Sequence, residues 1–317
     1  MKMKQTLIGL AAVAALTLAG CSSKTNAQET KTVKVGILQL INQTALDDAR
    51  KGFEQELAKE GYTGDKIKID YVNAQGDQSN LQSMSQRLKQ DKNDVNLAIA
   101  TPAAQALAKA DKDTPMVFTA VTDPKAAGLV TNASQPDQNA TGVTDMVDIK
   151  AQMKYLLKLF PKTKTVGLLY NAAEQNSVVQ IKSAIKVAKQ LGLKVATTTV
   201  ASTNDVQAAT ETLAGKCDAM YLVTDNTVAA AMPTVAKVSL KKHVPAVCAA
   251  STMVQDGGVA TRGISYKELG RQTAKLAIKI LKGKKVKNLP VEAPAKTMVI
   301  KNEKMMKAFN LTDADVK

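Results

Sequence analysis

Tryptophan is absent from this 317-residue chain, which has six tyrosines and four phenylalanines. Aromatic side chains are the usual stacking platforms for single-stranded nucleic acid. Their scarcity argues against a nucleic-acid partner despite a formal net charge of +15. The lysines agree, being spread along helical segments rather than gathered into one stripe. Histidine occurs once, at His243, and cysteine three times, at Cys21, Cys217 and Cys248. Without a Cys/His cluster a structural zinc site is not expected. A hydrolase needs a nucleophile beside a base, yet the chain has no G-x-S-x-G, and "LKKHVP" places His243 on a helix-to-strand loop. Neither G-x-G-x-x-G nor a P-loop occurs. The expectation is a protein without catalytic residues, cofactor or metal. No apolar run after Ala19 approaches the roughly 20 residues of a spanning helix.

What is present begins with a leader. Lys2 and Lys4 precede an apolar run from Leu7 to Ala19, the proportions of an export signal. The run ends in "LAGC", which resembles the lipobox of bacterial lipoproteins. That resemblance implies a signal peptide over residues 1–20, removal before Cys21, lipid on Cys21 and attachment to the extracytoplasmic face of the cell membrane. Residues 21–31 read as a flexible polar tether. For such a protein, attraction to anionic lipid and wall polymer is the simplest account of the basic charge. Export permits a disulfide. However, Cys217 precedes its strand while Cys248 lies late in the next one, beyond disulfide reach, so both are expected to be unpaired.

The body of the chain is written twice. "VKVGILQL" is a β-rich run without strict alternation, as a strand covered on both faces should be. Leu46, Ala49, Phe53 and Leu57 then fall at helical spacing, and Gly61 stops that helix. Strands "KIKIDYV", "VNLAIA" and "PMVFTAV" alternate with further helical segments. After a helix through Met153 and Leu156, "TVGLLYN" restarts the pattern, followed by strands "KVATTTV", "AMYLVT" and "VPAVCAA". "DNTVAAAMPTVAKVS" reads as one helix. Repeated βα units specify parallel sheets with helices on both faces. Duplication at about 125–130 residues gives two similar lobes rather than a solenoid. The tail, with strand "GGVATRGIS" and an amphipathic helix over "YKELGRQTAKLAIKILKG", is too small to fold alone. It is expected to return to both lobes, so that the crossings form a hinge.

In open parallel sheets the ligand crevice lies beyond the carboxyl ends of the strands. The candidates there are Gln39 and Asn42; Thr101, Ala103 and Ala104; Thr122, Asp123 and Asp145; Asn171 and Asn176; Asp225 and Asn226; and Ser251. Thr101 is read as the N-cap of a helix with Pro102 at its first position. The free N–H groups beyond it would suit a carboxylate. Asp225 either caps its own helix or presents a free carboxylate. A free α-amino acid would match the set, with its ammonium at Asp225, Asp123 or Asp145. Each of these residues also has a plain structural reading, and it is their common position at strand ends that groups them.

The segments "VGILQL", "ALDDARKGF", "ATPAAQALA", "PMVFTAVTDPKAAGLV", "YNAAEQNSVVQ", "YLVTDNTV" and "ISYKELGRQTAKLAIKILKG" resemble the substrate-binding lipoproteins of ABC importers, more narrowly the tryptophan/tyrosine-type subfamily. The resemblance implies an α/β fold of two doubly wound parallel-sheet lobes joined by a three-crossing hinge, the type I periplasmic-binding-protein fold. Residues 32–145 and 259–286 would form one lobe, and 146–258 and 287–317 the other. It also implies a monomer that captures an aromatic or related amino acid and delivers it to an ABC permease and its ATPase subunit. A receptor for a signalling partner, or a binding protein for another solute such as a nucleoside, are the alternatives. Two departures bear on the ligand: "INQTAL" lacks the family's frequent histidine, and Ala249-Ala250-Ser251-Thr252 lacks its acidic turn.

Overall fold

The computed structural model describes residues 32–317, so the signal, the tether and Cys21 lie outside the described residues. In chain order the first elements are β1 (Val33–Gln39), α1 (Thr44–Lys59), β2 (Ile67–Asn73), α2 (Gln78–Gln90), β3 (Val95–Ile99), α3 (Thr101–Ala110), β4 (Met116–Thr119) and β5 (Ala140–Val143). Next come α4 (Ile149–Leu159), β6 (Thr165–Asn171), α5 (Gln175–Gln190), β7 (Lys194–Val200), α6 (Val206–Ala214), β8 (Ala219–Leu222), α7 (Asn226–Ala230), α8 (Met232–Lys242), β9 (Ala246–Cys248) and α9 (Ser251–Gln255). The chain ends with β10 (Ala260–Gly263), α10 (Tyr266–Leu281), β11 (Met298–Lys301) and α11 (Glu303–Ala308).

The first lobe is a parallel sheet in the order β2-β1-β3-β4-β5, and the second a parallel sheet in the order β7-β6-β8-β9. Both have the βα architecture that the repeat specifies. In β1 every residue from Val35 to Gln39 is buried, consistent with helices on both faces. Leu46, Ala49, Phe53 and Leu57 of α1 are all buried. Against them lies α10, whose Leu269, Thr273, Leu276, Ala277 and Ile280 form its buried stripe. Two glycines set this approach. A Cβ on Gly270 would fall on the Ala49 carbonyl, and one on Gly52 on the Lys267 carbonyl.

Three differences from the sequence reading have physical causes. β5, "ATGV", is only four residues long and carries a glycine, too little pattern to mark a strand, and it is set by pairing with β4, where a Cβ on Gly142 would overlap Phe118. The single helix expected over "DNTVAAAMPTVAKVS" is two, α7 and α8, because Pro233 has no N–H with which to continue α7. Thr101 is the first residue of α3 rather than its cap. Ala104 N–H donates to Ala100 O at 3.0 Å, making Ala100 the cap residue.

The chain crosses between lobes after β5, between β10 and α10, and before β11. β10 lies beside β9, where Val259 N–H donates to Ala246 O at 2.8 Å, and Val259 and Ala260 join the second lobe's core. We therefore place the second crossing at Ile264–Ser265 rather than at 259. Similarly, Thr141 Oγ1 donates to Leu289 O at 2.8 Å, and Glu292 N–H to Gly142 O at 2.9 Å. The third crossing thus follows Glu292 rather than 286. The partner of a returning segment is a tertiary property that its own residues do not encode. Cys217 and Cys248 are both free; burial and the neighbouring Asp218 push the Cys217 thiol up to about 12.

Candidate functional site

The carboxyl ends of both sheets meet in one cleft. Thr122 and Ala120 line it from the first lobe, Asn176, Thr224, Asn226 and Thr252 from the second, and Asp145 and Tyr266 from the hinge. Its enclosed volume is about 10 Å³, room for about one water. The lobes touch directly. Gln43 Nε2 donates to Asn226 Oδ1 at 3.3 Å, and the Thr44 hydroxyl donates to Asp256 Oδ2 at 2.7 Å. This is a closed arrangement, and a solute the size of an amino acid can be accommodated only when the lobes part.

Asp145 is the one acid of the lining that is not used as a helix cap. It is 3 % exposed. Oδ1 accepts from the Thr122 hydroxyl at 3.0 Å, and Oδ2 from the Tyr266 hydroxyl at 3.0 Å. Burial pushes its carboxyl up, partly offset by these two hydroxyls. Burial, with Asp145 adding to it, raises the Tyr266 phenol well above its ordinary value. Among the described residues, no lysine or arginine lines the cleft. Thr122 and Thr224 oxygens are 3.3 Å apart across the lobes, and Gln180 Nε2 donates to Thr224 Oγ1 at 2.6 Å. Because the Thr122 proton is directed to Asp145, Thr224 is the donor to Thr122. A chain of donors therefore runs from Gln180 through Thr224 and Thr122 to Asp145.

Asp225, the other acid of the lining, is committed to structure. Oδ1 accepts from Val228 N–H at 2.8 Å, capping α7, while Oδ2 accepts from Asn171 N–H at 2.6 Å and the Ser177 hydroxyl at 2.7 Å. Its carboxyl is pushed up to about 7 by burial and then by the neighbouring Glu174. Glu174, also buried, accepts from the backbone N–H groups of Asn226 at 3.1 Å and Thr227 at 3.0 Å. The second lobe thus closes around two buried carboxyl groups at the start of α7 that its own donors satisfy.

The remaining candidates separate into cleft and scaffold. Asn226 lines the cleft. Asn176 Nδ2 donates to Thr224 O at 2.9 Å, whereas its Oδ1 is buried without a partner. Thr252 also lines the cleft, and its buried hydroxyl lacks a partner. Buried polar atoms are rarely left so. Ser251, by contrast, donates to Ile264 O. Asn171 Nδ2 donates to Thr227 Oγ1 at 2.9 Å, holding the loop before α5. Gln39 Nε2 donates to Asp47 Oδ1 at 2.7 Å and Ile41 O at 2.9 Å. Asn42 is exposed and accepts from Asn73. Asp123 is held in its own turn by the N–H groups of Lys125 and Ala126. Thr101, Ala103 and Ala104 are buried at the start of α3 and are not part of the closed cleft's lining; the Thr101 hydroxyl has no partner.

Several lining residues escaped the sequence reading: Leu46, Ala120, Ala229, Ala250, Met253 and Tyr266. Only Tyr266 carried a signal, since it follows the Ser265 cap of α10 at the start of a quoted motif. Ala120 holds φ +54 just after β4, a left-handed setting uncommon for any residue with a Cβ. The alanines keep one side of the cleft open and apolar. At the two departures from the family pattern, Gln43 bridges to Asn226, while Ala250 and Thr252 stand where the acidic turn is missing.

The model of the ABC transporter substrate binding protein family matches residues 34–315. A tyrosine-binding protein of Clostridioides difficile (strain R20291) is 38% identical over 291 residues, 92% of this chain and 84% of that protein. An ABC domain from Streptococcus pneumonia, solved in complex with L-Trp, is 37% identical over 89% of this chain and 95% of its own, with a TM-score of 0.85. A ligand-free, open substrate-binding protein with adhesive properties from Clostridium difficile is 40% identical over 89% and 96% of the two chains, yet its TM-score is 0.68.

Proposed function

Because the chain belongs to the ABC transporter substrate-binding protein family and has the type I periplasmic-binding-protein fold, we propose that it captures an aromatic amino acid between its lobes, on the extracytoplasmic side, for delivery to an ABC permease. The observation that carries this reading is Asp145, a buried carboxylate on the hinge that two hydroxyls satisfy and no cation neutralises. An α-ammonium is the complementary group. It would bond to Asp145, with Asn176 Oδ1 as second acceptor, and the Thr252 hydroxyl would donate to the ligand carboxylate. At the start of α3 the unpartnered Thr101 hydroxyl and the Ala103 N–H would be further carboxylate donors once the lobes part, whereas Ala104 N–H is taken by Ala100 O. Asp225 and Asp123 are not assigned to the ammonium.

Magnitudes favour an aromatic side chain. Micromolar binding needs about 8 kcal/mol, and charge-assisted hydrogen bonds give about 1.5–3 kcal/mol each. A ring burying about 150–250 Å² contributes about 4–6 kcal/mol at about 25 cal/mol/Å². The apolar side formed by Leu46, Ala229, Ala250 and Met253 is where it would pack. Closure around the ammonium would tighten the hinge, since Asp145 and Tyr266 stand on the first and second crossings.

The leader and Cys21 place the protein at the membrane in this proposal, as a lipid-anchored monomer. A thermal-shift screen of the amino acids, nucleosides and small sugars tests the solute. Tyrosine, tryptophan or phenylalanine should raise the melting temperature by mass action. Stabilisation by nucleosides or sugars, with no amino acid active, would overturn it. Cys21→Ala tests the anchor, with loss of membrane association and an unchanged response to the amino acid as the expected result.

A further inference from the structure

The lysine-rich turn after α10 lies at the end of the first lobe that faces away from the cleft. Pro115 and Asn139, which immediately precede β4 and β5, border a groove of about 770 Å³ together with Lys284, Lys285, Lys287 and one acid, Asp137, whose carboxylate accepts from the Thr131 N–H and hydroxyl. All five strands of this lobe are parallel, so their amino ends gather here. Thr32, where the preceding residues join the fold, is therefore at the same end. β1 stands two strands from β4 in the sheet, about 10 Å away.

Lysines near helix carboxyl ends have an ordinary role, offsetting the negative end of the helix dipole. That role suits the turns after α1, α2 and α3. Residues 59–66, 89–94 and 109–113 each carry two lysines and two acids. It does not account for residues 279–288, with five lysines and no acid. Lys282, Lys284, Lys285 and Lys287 are exposed. Lys282 reaches Glu60 at 3.8 Å, whereas Lys284, Lys285 and Lys287 form no ion pair among the described residues. Lys285 and Lys287 also lie beyond Gly283, where α10 has already stopped. The far end of the second lobe is basic as well, at Lys162, Lys164, Lys241 and Lys242, but the chain that follows Cys21 does not enter the fold there.

We propose that the 279–288 turn and its groove are a docking surface for the anionic phospholipid headgroups of the membrane to which lipid on Cys21 holds the chain. This rests on the membrane placement proposed above and is independent of which solute is bound. The stretch between Cys21 and Thr32 spans at most about 40 Å when extended, so the turn stays within reach of the surface. Each lysine brought to an anionic surface gains about fivefold in partitioning. Lys284, Lys285 and Lys287 together would then favour the docked orientation by on the order of 100-fold.

The test uses the full chain on vesicles of phosphatidylcholine alone or with phosphatidylglycerol, treated with an amine-acetylating reagent and mapped by mass spectrometry. Lys284, Lys285 and Lys287 should be acetylated at least about fivefold more slowly on the anionic vesicles, with the protection lost in high salt and the rates of Lys162, Lys241 and Lys242 unchanged. Equal rates on both lipids, or equal protection at the two lobe ends, would overturn the proposal. So would the same protection from inorganic phosphate added to neutral vesicles, which would mark a soluble-phosphate site instead. The melting response to tyrosine and tryptophan is read on the same samples. Its absence would remove the amino-acid reading while leaving the lysine result to stand or fall alone.

Discussion

The Tyr266 hydroxyl donates to Oδ2 of Asp145 at 3.0 Å, joining the first residue of α10 to the segment that follows β5. The two residues stand at the first and second crossings between the lobes, so the carboxylate assigned to the ligand's ammonium is part of the hinge. Asp145→Asn should weaken amino-acid binding by about 1.5–3 kcal/mol, roughly 10- to 150-fold, measured by calorimetry. Thermal stability without ligand should be unchanged or higher, because an uncompensated buried charge is removed. Tyr266→Phe should weaken binding less, since Thr122 still holds the other oxygen.

Binding should depend on pH through the same group. Burial raises the Asp145 carboxyl in the ligand-free protein, and a bound ammonium favours its ionised form. The ligand therefore binds with loss of a proton wherever Asp145 is protonated. Affinity should fall as pH falls through the raised value and level off above it. A titration of the dissociation constant against pH for wild type and Asp145→Asn checks this, with the slope lost in the variant. An unchanged slope would move the ammonium site elsewhere.

Asp225 is expected to act on stability. Its carboxyl lies at about 7 in the fold, against about 3.9 in an unfolded chain. Between these values the folded state binds more protons than the unfolded one, so this group's contribution to stability falls as pH rises from about 4 to 7. Asp225→Asn keeps the cap to Val228 N–H and removes the charge beside Glu174, but it sets an NH2 donor against the Asn171 N–H that Oδ2 accepts. It should therefore flatten this pH dependence while costing about 1–3 kcal/mol, as read by chemical denaturation at several pH values. Asp225→Ala should cost about 0.5–2 kcal/mol through the lost cap.

The helix crossing behind the site gives a packing test. A Cβ on Gly270 would collide with the Ala49 carbonyl, and one on Gly52 with the Lys267 carbonyl. Backbone cannot yield as a flexible side chain can. Gly270→Ala should cost about 1–3 kcal/mol, more than the same change at exposed Gly192, where nothing lies within 4 Å. Gly192 holds φ +78, so its cost is limited to backbone strain.

The sequence made the scaffold legible because buried parallel strands and amphipathic helices have contrasting periods, and the duplication repeats them. Leu46, Ala49, Phe53 and Leu57 could be placed in the core from spacing alone. Strand-end logic also brought Thr122, Asp145, Asn176, Asp225 and Asn226 to one cleft. It could not decide which acid was free. Asp225 meets donors from Asn171 and Ser177, residues about fifty positions away, and that encounter exists only in the folded lobe. Tyr266 was hidden for the same reason, since its partner comes from another crossing. Alanines such as Ala120 and Ala250 shape the cleft by what they leave empty, which no motif records.

The outer contact between the lobes offers a kinetic separation of capture from closure. Thr44 Oγ1 donates to Asp256 Oδ2 at 2.7 Å, and neither residue belongs to the cleft lining. The bond exists only when the lobes are together, so it stabilises the closed state without touching a solute. Thr44→Val retains shape and removes the donor, at a cost of about 0.5–1.5 kcal/mol. Because opening must precede release, dissociation of the amino acid should quicken by roughly two- to tenfold, with association little changed. Stopped-flow fluorescence with tyrosine or tryptophan resolves the two rates. A slowed association with unchanged dissociation would show instead that Thr44 acts on the open state, where this hydrogen bond is not made.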